Sequence, residues 1–412
     1  MFSFRFCLLL LLLSALCLNA NSQSFALHDG DRVAFYGDSI TAQRFYTRFV
    51  EDCVLTRYPQ LNVEFWNVGV PGDTVKGGYT GDVDIRLKRD VLPRQPNVVT
   101  VMLGINDAGW GTFHQDWFEG FLTGYQSLLS KMQAQLPGVR FTLIRPTPYD
   151  ELTHGTEFPA YNSVVTRYAD GVSALARDSH TALTDFNAPV ENLLRNGMRE
   201  NHSLAKLLMP DRIHPAEAAH WVMAAALVRA WGISPVVSRV RIDAVEPRIL
   251  SSENTEVTAL TGTATSLRWT QLDRALPLPL NPDDPMTQFL LTASDLAAVD
   301  QQTLAVQSLK SNRYTLKIDG KEIASFTKGE LASGINIALY RTPMVDQSRE
   351  VDGIEVKRTH IDETHFWLTD EGMNVPGIAD ADKTLDLAQS ALASEQREKV
   401  QPKPHTFELT AE

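Results

Sequence analysis

Five residues carry the functional groups that acyl transfer needs, each in a short motif: Ser39, Gly72, Asn106, Asp211 and His214. Ser39 ends Gly37-Asp38-Ser39, directly behind the apolar run Val33-Ala34-Phe35-Tyr36. A serine at the sharp end of a buried strand is a candidate nucleophile, although the same tripeptide also makes an ordinary capped turn. Its meaning depends on partners elsewhere in the chain.

A serine hydroxyl is a weak nucleophile at neutral pH and needs an adjacent base, a role that suits an imidazole. His214 fits that role, and Asp211, three residues earlier in Asp211-Arg212-Ile213-His214, can orient the ring and stabilise its charged form. A tetrahedral oxyanion needs preorganised donors. Ser39 can supply its own N–H. Gly72, within Asn67-Val68-Gly69-Val70-Pro71-Gly72-Asp73, lets a backbone N–H approach closely, and Asn106, within Gly104-Ile105-Asn106-Asp107, offers a side-chain amide. Taken singly, Gly72 reads as a turn, Asn106 as a cap, and His214 and Asp211 as helix-start residues. Four motifs in this order read as one site.

From Arg32 to about Trp231, short apolar runs alternate with amphipathic stretches. Strands are expected at Val33–Tyr36, Val63–Val68, Val98–Leu103, Arg140–Ile144 and Ala182–Phe186. Helices are expected near 44–57, 80–91, 116–135, 160–178 and 216–231. This alternation implies a mostly parallel sheet covered on both faces, with its site at the carboxyl ends of the strands. All four motifs fall at such ends or just before the last helix.

On these motifs, residues 30–232 resemble the SGNH hydrolases of the GDSL esterase/lipase superfamily. The resemblance implies a flavodoxin-like three-layer α/β/α domain with a shallow, exposed site. It also implies Ser39, Asp211 and His214 as the catalytic triad, with Ser39, Gly72 and Asn106 forming the oxyanion hole. The first motif reads Gly-Asp-Ser-Ile-Thr, a variant common among esterases of small acyl groups and carbohydrates. The expected activity is hydrolysis of small acyl esters, above all O-acetyl esters on carbohydrate, through an acyl-enzyme. A lipase, arylesterase or thioesterase on the same triad is the enzymatic alternative, and a non-catalytic carbohydrate-binding protein the other. The chemistry calls for no metal or organic cofactor. Trp110, after the Asn106 motif, is a candidate wall of the substrate pocket, with core packing as its other reading. His114 and His154 have no metal-ligand pattern around them, and His220 lies six residues beyond His214, where a two-histidine zinc helix needs four.

Beyond Gly232-Ile233-Ser234-Pro235 the texture changes. Residues 236–412 read as a smaller β-containing accessory region with helical additions. Val236–Ile249 looks extended, Thr303–Val306, Tyr314–Ile318 and Ile323–Phe326 alternate like strands, and Asp319-Gly320 suits a hairpin turn. A helix near 380–399 and a polar tail complete the expectation.

Residues 1–22 have the layout of a secretory signal peptide: Arg5, the apolar run Phe6–Leu18, then small and polar residues with cleavage after Ala20 or Ser22. Leu16 before Cys17 argues against a lipid-attachment site. No later run is long and apolar enough to span a bilayer, so a secreted or periplasmic protein with no stable membrane insertion is expected. Removing the segment takes Cys7 and Cys17 with it and leaves Cys53 alone among apolar neighbours, as a core residue. The formal net charge of -12 argues against nucleic acid and anionic membrane surfaces as partners. The resemblance implies a small-molecule or glycan ester substrate as the partner.

Overall fold

The computed structural model describes residues 25–155, 157–370 and 377–412. The signal-peptide reading, with Cys7 and Cys17, lies outside the described residues.

Five parallel strands form the first sheet: β1 (Arg32–Gly37), β2 (Glu64–Asn67), β3 (Val98–Met102), β4 (Arg140–Arg145) and β5 (Ala182–Asp185). Their order is β2-β1-β3-β4-β5, which is the flavodoxin-like winding. All of β3, and all of β1 after Arg32, is buried. Continuous burial rather than alternation marks a sheet covered on both faces. The flanking helices are Phe45–Arg57, Gln115–Gln135, Tyr161–Asp178, Asn187–Glu200 and Glu217–Ala230. The first and last of these meet through Phe49 and Trp221, whose rings stack 3.8 Å apart. Cys53 is buried in the same core, with its thiol free.

Two helical details depart from the sequence expectation. The stretch 80–91 becomes a four-residue helix, Val83–Arg86, capped by Asp82, followed by a π turn over Leu87–Val91 and a 3-10 turn over Leu92–Arg94. The helix Asn187–Glu200 was not anticipated, although Val190, Leu193, Leu194 and Gly197 mark its buried stripe.

The C-terminal region holds two further sheets. Strands β6 (Val236–Asp243), β7 (Arg248–Glu253), β8 (Thr255–Thr263), β9 (Ser266–Asp273), β10 (Gln301–Gln307), β11 (Arg313–Ile318), β12 (Lys321–Thr327), β13 (Ile335–Asn336) and β14 (His405–Ala411) follow in chain order. A four-stranded sheet runs β13-β10-β6-β7, and an antiparallel five-stranded one runs β8-β9-β14-β11-β12. Asp319 and Gly320 both have positive φ, at 51° and 78°, as the β11–β12 hairpin turn requires. The expected polar tail is instead β14, the middle strand of its sheet. Phe407 and Leu409 enter the core while Thr406, Glu408 and Thr410 alternate with them, a period of two hidden by polar composition. The helices Pro343–Asp370 and Ile378–Lys399 pack together; the first was not foreseen.

The hydrophobic cores do not divide at residue 235. Leu278, Leu280, Phe289, Leu290, Leu296 and Val299 return to the α/β core. Phe289 lies on Gly197, where a Cβ would come within 2.7 Å of the ring. Arg57 and Asp300 form a buried ion pair at 3.2 Å between the two halves. Among the described residues no helix is long and apolar enough to cross a membrane.

Candidate active site

β1 ends at Gly37, where a Cβ would overlap Thr41 and come within 2.9 Å of the Met102 carbonyl oxygen; only glycine fits this turn. Asp38 caps the single-turn helix Ser39–Ala42, its Oδ1 accepting from the Ile40 N–H at 3.0 Å. The turn is braced from outside. Asn67 Nδ2 donates to the Thr41 carbonyl at 2.7 Å, and the Thr41 and Tyr46 hydroxyls lie 3.0 Å apart. Arg44 holds left-handed backbone with φ 65° and donates to the Ala42 carbonyl at 2.9 Å and to Asp362 at 3.0 Å. The C-terminal helical pair thereby reaches the serine turn.

His214 Nε2 lies 2.8 Å from Ser39 Oγ, and His214 Nδ1 lies 2.7 Å from Asp211 Oδ2. Asp211 Oδ1 also accepts from the Ile213 and His214 N–H groups, at 2.9 and 2.8 Å. Burial would raise the Asp211 carboxyl, but the His214 N–H, the His214 ring and the Ile213 N–H hold it below the ordinary carboxylate range. It is therefore ionised and able to orient the imidazole. The His214 and Asp211 side chains are 33% and 53% exposed, so the hydroxyl–imidazole–carboxylate chain stands at an open surface.

Gly72 has φ 76° with nothing within 4 Å of the position a Cβ would take. Its backbone therefore borders open space. Asn106 Nδ2 donates to the Asp73 carbonyl at 3.0 Å, joining the loop after β3 to the loop after β2. Val70 N–H donates to the Gly37 carbonyl at 3.0 Å, bringing that second loop beside the serine turn. All five residues singled out by sequence thus lie on one connected set of loops. Trp110 is half-buried, and its ring stacks on Tyr161 with centroids 5.3 Å apart, beside Phe158. The Tyr161 hydroxyl donates to the Ile105 carbonyl at 2.7 Å, so this stack supports the Asn106 loop from beneath.

Sequence reasoning passed over the supporting roles of Arg86, His220 and Asp107. Arg86 is fully buried, pairs with Asp73 at 2.8 Å and with Asp90, and donates to the Val68 carbonyl at 2.7 Å. His220 Nδ1 accepts from the Tyr46 N–H at 3.1 Å, and its Nε2 lies 3.0 Å from the Pro215 carbonyl oxygen. Burial pushes its ring down to about 3, so it is a neutral strut between the His214 segment and the serine turn. Asp38 and Asp107 are buried carboxyls pushed up to about 7, chiefly by burial. No spacing signal distinguishes Arg86 or His220, because the Asp73 carboxylate and Val68 carbonyl that hold Arg86 and the Tyr46 N–H that holds His220 come near only in the fold.

Comparison with known proteins bears on the family and the fold. Residues 35–222 match the model of the GDSL-like lipase/acylhydrolase family. An acetylxylan esterase from Geobacillus stearothermophilus is 25% identical over 228 residues, covering 51% of this chain and 98% of that relative. A solved structure of that organism's acetylxylan esterase aligns over 50% of this chain and 96% of its own, with TM-score 0.40 and 22% identity. A gut microbial diltiazem-metabolizing enzyme aligns over 95% of this chain and 99% of its own, with TM-score 0.80 and 22% identity. That likeness concerns the fold, and it includes the C-terminal region. With its motifs on the rim of a parallel sheet and its match over residues 35–222, the chain carries an SGNH hydrolase domain of the GDSL-like lipase/acylhydrolase family and is a carboxylic ester hydrolase with a C-terminal extension.

Proposed function

We propose that the protein is a secreted or periplasmic serine esterase that removes small acyl groups, above all O-acetyl groups, from carbohydrate. The observation that carries the catalytic assignment is the unbroken chain from Ser39 Oγ through His214 to Asp211, at 2.8 and 2.7 Å. Ser39 Oγ attacks the ester carbonyl while His214 Nε2 takes its proton, and Asp211 stabilises the imidazolium. The oxyanion sits among the Ser39 N–H, the Gly72 N–H and the Asn106 amide. His214 returns the proton to the leaving alcohol, then activates the water that releases the acyl group and regenerates the serine. The acetylxylan esterase relative supports acetyl groups on carbohydrate, and the open setting of His214 suits an ester borne on a bulky alcohol.

The test is a substrate panel of acetylated xylo-oligosaccharides, p-nitrophenyl acetate, longer p-nitrophenyl acyl esters and diltiazem, with labelling by a serine-directed organophosphonate. Ser39→Ala should abolish labelling and lower turnover by at least about 10⁴-fold, and Asn106→Ala should lower it by about 10²–10³-fold. Near-normal hydrolysis by Ser39→Ala overturns the mechanism, and preference for long acyl chains overturns the acetyl assignment. Absence of labelling in the folded wild-type protein favours the non-catalytic binding reading.

A further inference from the structure

We propose that Asp362, in the C-terminal extension, is a positioning residue for Ser39: it holds the Arg44 guanidinium, which holds the end of the one-turn helix that Ser39 begins. This rests on the reading of Ser39 as the nucleophile. It gives residues 236–412 a part in turnover as well as in folding.

Ser39 opens the helix Ser39–Ala42, whose four residues are too few to fix their own geometry. What grips its two ends therefore sets where the hydroxyl stands. Asp38 caps the front, accepting from the Ile40 N–H at 3.0 Å. At the back, Gln43 N–H donates to the Ser39 carbonyl and Arg44 N–H to the Thr41 carbonyl, both at 2.9 Å, and Arg44 Nη1 returns to the Ala42 carbonyl at 2.9 Å. Arg44 does this from left-handed backbone, φ 65°, where a residue with a Cβ is disfavoured and glycine is at ease. Such strain persists only where the surroundings impose it.

The Arg44 side chain is 7% exposed, and its Nε donates to Asp362 Oδ2 at 3.0 Å. The guanidinium also lies over the Phe366 ring, 5.6 Å from the centroid, and Phe366 stands one helical turn beyond Asp362. Among the described residues, Asp362 is the carboxylate paired with this buried cation. The helix Pro343–Asp370 has other seats: Arg358 bonds Glu51, and Asp352 lies 3.4 Å from Arg48. Glu51 and Arg48 both belong to the helix Phe45–Arg57. Removing the Asp362 carboxylate thus leaves its helix docked, and the loss falls on Arg44 and the turn behind Ser39. A nucleophile displaced by a fraction of an ångström from its base loses rate, while ground-state binding of the ester is left alone.

The experiment compares the full chain with Asp362→Ala, Asp362→Asn, Arg44→Gly, Arg44→Gly combined with Asp362→Ala, and Asp346→Ala. For each, kcat and KM on p-nitrophenyl acetate and the rate of organophosphonate labelling are measured well below its Tm. Asp362→Ala should lower kcat and the labelling rate about tenfold and leave KM within about twofold. Asp362→Asn, whose amide oxygen can still accept from Arg44 Nε, should recover most of the loss. Arg44→Gly should lose as much as Asp362→Ala, and adding Asp362→Ala to it should remove nothing further, because both act through one link. Asp346→Ala breaks a 3.0 Å ion pair between the same helix and Lys321, away from Arg44, and should leave kcat unchanged. Wild-type kcat in Asp362→Ala, additive losses in the combined variant, or an equal loss in Asp346→Ala overturns the positioning role while the Ser39 assignment stands. Near-normal hydrolysis by Ser39→Ala overturns both.

Discussion

Arg86 and Asp73 form an ion pair at 2.8 Å with neither side chain exposed, one residue beyond Gly72. The same guanidinium donates to the Val68 carbonyl at 2.7 Å and lies over the Tyr36 ring at 5.0 Å. It therefore holds the loop that carries Gly72 at both ends. Since the Asp73 carbonyl also receives the Asn106 amide, the ion pair underlies the spacing between two proposed oxyanion donors.

Removing Arg86 leaves Asp73 in the interior without the guanidinium that charge-balances it, and breaking one partner of a buried pair is strongly destabilising. Arg86→Met should cost about 3–5 kcal/mol in urea unfolding and lower kcat more than it raises KM, because the donors act on the transition state. Arg86→Met with Asp73→Asn should regain part of the stability. Unchanged kcat in folded Arg86→Met would show that the pair does not position the donors.

A chain ending at residue 235 keeps every proposed catalytic residue, yet it should not fold as the full chain does. It loses Leu278, Phe289, Leu290 and Val299 from the α/β core, at about 2–5 kcal/mol for each large apolar side chain, against a total stability of about 5–15 kcal/mol. It also strips Asp300 from buried Arg57, and Asp362 from the Arg44 that braces the serine turn. Thermal unfolding should show no cooperative transition. A transition within a few degrees of the full-length Tm would mean that residues 236–412 are an appendage.

The parallel sheet was legible because its strands are short apolar runs whose period is interrupted by amphipathic helices, and β1 through β5 lie within about a residue of their expected places. Ser39, Asp211 and His214 were legible because each sits in a motif at a strand end or before a helix, where topology supplies the contact. The C-terminal half was harder to read. β14 is polar at every second residue and pairs with β9, from which it is separated by more than a hundred residues, so no local signal reveals it as a central strand. Residues 285–293 form an ordinary short helix whose place in the α/β core depends on Gly197 leaving room for Phe289. Arg86 and His220 escape a sequence reading for the same reason: the Asp73 carboxylate and Val68 carbonyl at Arg86, and the Tyr46 N–H at His220, are partners that only the fold brings near.

Asp38 and Asp107 give the stability a pH dependence of predictable sign. Burial is the main cause of their elevation to about 7; the Ile40 and Val75 N–H groups offset it in part, and neighbouring Asp73 adds to it. In the unfolded chain both ionise near the ordinary carboxylate value of about 4. Between about pH 4 and pH 7 the unfolded state therefore releases protons that the folded state retains, and stability falls as pH rises; above about pH 7 both states are ionised and the loss is complete. Asp107→Asn removes one of these groups while its side-chain oxygen can still accept from Val75 N–H, a bond of 3.1 Å in the native protein. Other carboxyls titrate in both proteins, so the difference between their urea-unfolding free energies reports this site together with the elevation that the Asp107 charge imposes on Asp38, which acts in the same direction. That difference should shift in favour of Asp107→Asn by at least about 1.4 kcal/mol between pH 5 and pH 7.5, the equivalent of one pH unit of displacement. Parallel stability curves across that range would show that Asp107 ionises in the folded protein much as it does in the unfolded chain.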